Sequence, residues 1–147
     1  MIGTLRRVGC NRMERSNDAI HGGEMSASQR RKGAAGEVEL ANLLCDLLGM
    51  SLKRQLGQER DGGADIRLGR AHIQVKRCET LAIPAWWRQA VADAGDGLPV
   101  LAWRQSRKGW TFRVPLVAVL DSGSCATEPT CDMGVEAFAV FCRERLL

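Results

Sequence analysis

The chain has 147 residues, of which 45% are apolar and 26% charged, with a formal net charge of +4. That length suits one domain with a core of its own. No apolar run approaches the ~20 residues of a membrane span, and the start lacks the apolar stretch of a secretory signal. The mild positive charge permits an acidic partner such as nucleic acid without demanding one.

Residues 1–27 mix Arg, Asn, Ser, Gly and Asp with no apolar period and are expected to be disordered. Gly22-Gly23-Glu24 precedes Met25. Such codons can spell a purine-rich ribosome-binding site, so Met25 is a candidate native start, with 28–147 as the folded domain. From Ala34 to Leu48 apolar residues recur at helical spacing, through Val38, Ala41, Cys45 and Leu48, and Gly49 supplies a stop. Ser51–Leu56, Ala64–Leu68 and Ala71–Arg77 read as strands. The last two are separated by Gly69-Arg70, a hairpin signal. Pro84 opens a second helix running from Ala85 to about Ala94, closed by Gly95. Leu98–Arg104 and Trp110–Val114 form a second hairpin around Ser106-Arg107-Lys108-Gly109, with Trp103 and Trp110 expected to pair across it. Residues 121–134 read as a Gly/Ser/Thr/Pro-rich loop. Val135–Leu147 is a final helix with Val135, Phe138, Ala139 and Cys142 on one face. The predicted order is α-β-β-β-α-β-β-α, an α/β (α+β) fold with a mixed sheet flanked by helices.

Six cysteines, Cys10, Cys45, Cys78, Cys125, Cys131 and Cys142, show no CxxC spacing, and His21 and His72 stand alone. A structural zinc site is not expected. Cys45 and Cys142 fit as small core residues. Cys125 and Cys131 share a polar loop that does not compel a bridge. With no export signal, free thiols in a reducing cytoplasm are the default.

Turn arithmetic on the first hairpin brings chemistry together. With Gly69-Arg70 as a two-residue turn, Leu68 faces Ala71 and Asp65 faces Gln74. Lys76, two residues on, shares that face, while Ile66, Ile73 and Val75 point to the other. A carboxylate, an amide and an ammonium over a buried face suit phosphodiester hydrolysis. Hard oxygen ligands favour Mg²⁺. Asp65 is the anionic ligand, and the Gln74 amide oxygen and the Val75 carbonyl are neutral candidates. Lys76 would position or deprotonate a water, or stabilise the developing charge. Glu37 falls near the core stripe of the first helix with Ala41, Leu44 and Leu48. It is either a second carboxylate of the site, where burial needs a partner or metal, or an exposed acid favoured by the helix start.

The segment Arg31-Lys32-Gly33-Ala34-Ala35-Gly36-Glu37, followed by Glu39-Leu40 and Leu43-Leu44, resembles the opening helix of archaeal-type Holliday junction resolvases and their phage relatives. Those enzymes belong to the PD-(D/E)XK nuclease superfamily. Ala64-Asp65-Ile66 with Ile73-Gln74-Val75-Lys76 resembles their catalytic hairpin. Gly97 to Ala102, then Gly109-Trp110, resembles their later strands. The similarity covers about residues 30–114.

The resemblance implies a restriction-endonuclease-like core and a Mg²⁺-dependent site (Mn²⁺ substituting) of Glu37, Asp65, Gln74 and Lys76. It also implies a homodimer that nicks four-way DNA junctions. Ala64 stands where the motif has Pro. Gln74 replaces the usual Glu, which removes one negative charge and weakens cation binding. Asp61 or Glu59 would compensate, or they are plain loop charges.

Around this site Arg30, Arg31, Lys32, Arg54, Arg60 and Arg77 are candidate phosphate contacts, with a solvated basic face as the alternative. The basic tip from Arg104 to Lys108 reads first as a solvated turn. Of Trp86 and Trp87, one packs on the sheet and the other is free to meet DNA or a subunit. Gln89, on the helix after the hairpin, either lines the site or is a surface residue. Two rival readings share this fold: a different nuclease, restriction-like or repair-nicking, and a DNA-binding module that has lost catalysis.

Overall fold

A computed structural model of the chain describes residues 26–52 and 65–147. The supposed disorder of residues 1–25, the candidate start at Met25, and Arg54, Glu59, Arg60 and Asp61 lie outside the described residues. The described elements run α1 (Ala27–Leu48), β1 (Ile66–Leu68), β2 (Ala71–Arg77), α2 (Ile83–Ala94), β3 (Leu98–Arg104), β4 (Thr111–Pro115), α3 (Leu116–Leu120), β5 (Thr130–Gly134) and α4 (Val135–Arg145).

The five strands form one mixed sheet in chain order, β1 to β5. Every adjacent pair is antiparallel except β2 and β3, which are parallel with Gln74 level with Leu101 and Lys76 level with Trp103. A parallel pair needs a crossover, and α2 supplies it. Ile66, Leu68, Ile73, Val75, Val100, Ala102, Phe112 and Val114 pack with Leu40, Leu44, Ala118, Phe138 and Cys142 on one face. The opposite face carries a smaller cluster in which Trp87 and Ala90 of α2 cover Leu101 and Trp103. Strand β3 is therefore buried on both faces along nearly its whole length, as a strand in a parallel pair tends to be. Phe112 and Phe138 stack with ring centroids 4.0 Å apart, which fixes α4 against the sheet. Among the described residues no helix is long and apolar enough to cross a membrane.

Several sequence expectations are corrected. Helix α1 begins at Ala27, not Ala34. The Ser26 hydroxyl accepts the Gln29 N–H at 3.3 Å while Gln29 Oε1 accepts the Ser26 N–H at 3.0 Å, a reciprocal cap. Ser26 and Ala27 thus belong to the folded part. The buried stripe of α1 runs through Gly36, Leu40, Ala41 and Leu44, and Val38 is 42% exposed. Ser51 and Leu52 are not in a strand, and the rest of that expected strand lies outside the described residues.

The 121–134 segment is not wholly a loop, because Thr130–Gly134 pairs with β4 as an edge strand. Leu116–Leu120 adds a short helix. The observed order therefore has a helix and a strand that were not expected. Trp103 and Trp110 do not pair. Trp103 sits opposite Thr111, in the cluster under α2, whereas Trp110 joins the core on the α1 face.

A candidate acid–amide–lysine site on the first hairpin

The first hairpin has the register that its two-residue turn dictates, with Leu68 opposite Ala71 and Ile66 opposite Ile73. The next rung outward sets Asp65 against Gln74, and their side chains meet. Gln74 Nε2 donates to Asp65 Oδ2 at 3.1 Å. The Val75 N–H donates to the same oxygen at 2.7 Å. Lys76 lies on the same side, where its Nζ donates to Gln89 Oε1 at 3.3 Å. Gln89 is thus a contact of the site's lysine although its side chain is exposed.

Gln74 is the described residue that is both polar and buried, at 7% exposure. Its Nε2 is spent on Asp65, and its Oε1 is buried with no hydrogen-bond partner among the described residues. A buried carbonyl oxygen left unpaired is costly. A cation next to the Asp65 carboxylate is a ligand that would satisfy it. The Asp65 carboxyl is raised to about 6, chiefly by burial, with the charges of Glu37 and Asp93 adding to the rise and the Val75 N–H and Lys76 opposing it. A buried carboxylate whose ionised form is disfavoured in this way is one that a bound cation would stabilise. The donors are all hard oxygens, which match Mg²⁺ or Mn²⁺ rather than a thiolate-seeking metal. Among the described residues no three His, Cys, Asp or Glu side chains stand as a ready-made metal group. The fit therefore rests on Asp65 and the Gln74 amide oxygen, with Glu37 acting from α1.

Glu37 is half-buried on α1, and its charge reaches Asp65. Gly36 beside it lets α1 lie close to the sheet. A Cβ at Gly36 would stand 3.2 Å from Arg77 Cβ.

The sequence reading missed Asp93, which lies four residues after Gln89 on the same helical face. That spacing was the available signal. Glu39 was also passed over as a structural residue. It pairs with Arg77 at 3.5 Å, binds Arg104, and accepts the Trp110 indole N–H at 3.3 Å. Arg77, expected to face DNA, is thus engaged by Glu39. Arg30, Arg31 and Lys32 are exposed on the first turns of α1. Glu39→Ala would strand two guanidinium groups and an indole N–H. It should lower stability by about 1–2 kcal/mol in chemical denaturation, whereas Glu39→Gln, which keeps an acceptor, should cost less.

Comparison with known proteins finds no family model, no curated protein and no solved structure that matches the chain.

Proposed function

We propose that this chain is a Mg²⁺-dependent DNA endonuclease of the PD-(D/E)XK type, acting as a homodimer on branched DNA such as a four-way junction. One observation carries the reading. A carboxylate, a buried amide whose oxygen is unpaired among the described residues, and an oriented lysine occupy one face of a single hairpin.

Asp65 and the Gln74 oxygen would hold the cation, with Glu37 adding charge and the Val75 carbonyl as a further neutral donor. When bound, the ion neutralises the scissile phosphate and lowers the pKa of a water. The Val75 N–H and Gln74 Nε2 fix the Asp65 carboxylate in one orientation. Gln89 holds the Lys76 ammonium by its Nζ, poised beside the attacking water or the developing phosphorane charge. Arg30, Arg31 and Lys32 supply exposed positive charge for phosphate contacts that set register without reading bases. Arg54 and Arg60 belong to the same proposal on sequence grounds.

The test is a cleavage panel of four-way junction, flap and linear duplex, with Mg²⁺, with Mn²⁺ and with chelator. Paired symmetric nicks on the junction, lost on chelation, are the expected result. Nicks confined to flap or duplex would assign a different nuclease on this fold. Binding without cleavage in either metal would leave a DNA-binding module. Gln74, an amide where a carboxylate is usual, favours that second reading. Under it, Gln74→Glu should restore cutting.

A further inference from the structure

The site carries one anion fewer than its chemistry calls for. Position 74 is an amide, and its buried oxygen has no partner among the described residues. The missing charge has a source on the helix that crosses over the hairpin. Asp93 lies one helical turn beyond Gln89 on α2, and Gln89 grips Lys76 at 3.3 Å. Residues four apart share a helix face, which puts Asp93 on the same side of α2 as Gln89, the residue that meets Lys76. Asp93 is half-buried and has no salt bridge among the described residues.

We infer that Asp93 supplies the negative charge that Gln74 withholds, holding a divalent cation at Asp65 through the waters that the ion retains. The inference rests on the nuclease reading and names a residue that this reading does not require. Mg²⁺ keeps several waters when one or two carboxylates bind it. A carboxylate beyond direct reach thus contributes by accepting their hydrogen bonds and by its field. The buried Gln74 oxygen marks where the ion itself would sit.

The experiment is Mn²⁺ binding to the full chain, read by electron paramagnetic resonance, with thermal melting alongside. Partners in the outer shell of a metal site typically contribute 10- to 100-fold in affinity. Asp93→Asn should therefore weaken Mn²⁺ binding about 10-fold, with an unchanged or higher Tm in chelator. Asp93→Glu should stay within a few-fold of wild type. Gln74→Glu combined with Asp93→Asn should bring affinity back. Asp46→Asn, a change of equal charge at an exposed position on α1, should leave it alone. Equal Mn²⁺ affinity in wild type and Asp93→Asn overturns this inference while sparing the nuclease reading. No Mn²⁺ binding by the wild type overturns both.

Discussion

Asp65→Asn and Lys76→Ala should each lower junction cleavage by at least ~10²-fold while leaving the fold and DNA affinity near wild type, measured by single-turnover cleavage and gel shift. Losing one preorganised charge-stabilising group typically costs ~10²–10³ in rate. Asp65 would in addition be the principal cation ligand. Asparagine is the better probe than alanine. Its carbonyl still accepts from the Val75 N–H, the bond that is 2.7 Å in the wild type. Alanine would strand that donor and the Gln74 amide, confusing chemistry with folding. Lys76 is half-buried and its ammonium donates to an exposed glutamine, so its removal should hardly disturb packing. Full activity in both variants would refute the site. Loss of DNA binding in step with cleavage would place these residues in recognition instead.

The second expectation concerns pH. The Asp65 carboxyl is raised from 3.8 to about 6 in the folded chain. A raised acid favours folding while it is protonated. Its contribution is complete below about pH 3.8 and is lost as pH climbs through about 6. At roughly 1.4 kcal/mol per unit, the ionised side chain costs the metal-free protein on the order of 2–3 kcal/mol above pH 7. Asp65→Asn should therefore be more stable than wild type in chelator at pH 8, by about 2 kcal/mol, and indistinguishable near pH 4. Mg²⁺ should reverse the order. It would stabilise the wild type by mass action and leave the Asn variant unmoved. A wild-type melting curve that ignores both pH and Mg²⁺ would contradict this account. Stability given up for function is a common mark of working sites.

Legibility from sequence followed locality. The Asp65–Gln74–Lys76 face was readable because a two-residue turn fixes register by counting, and pairing then decides every side chain's face. Gly49, Pro84 and Gly95 punctuated their helices by backbone chemistry alone. What failed depended on the rest of the molecule. The strand Thr130-Cys131-Asp132-Met133-Gly134 has little intrinsic signal, and pairing with Arg113 and its neighbours on β4 creates it. The two tryptophans of the second hairpin were assumed to meet, but their positions are out of step, so helices on opposite faces claim them. Glu39 and Asp93 look like ordinary helix acids until the elements they face are known. The Ser26–Gln29 cap was a local signal that was readable and went unread.

The two-residue turn at Gly69-Arg70 makes the site intolerant of changes in chain length. Side chains alternate about the strand, so one residue inserted there would act like a frameshift in space. If β2 stays clamped to β3, Ile66 would rotate toward the polar face that carries Gln74 and Lys76, and Asp65 toward the apolar core that contains Leu40. No residue of the acid–amide–lysine set need be altered for it to be dismantled. Selection that keeps such a site would therefore act on the length of this turn as firmly as on the residues it aligns.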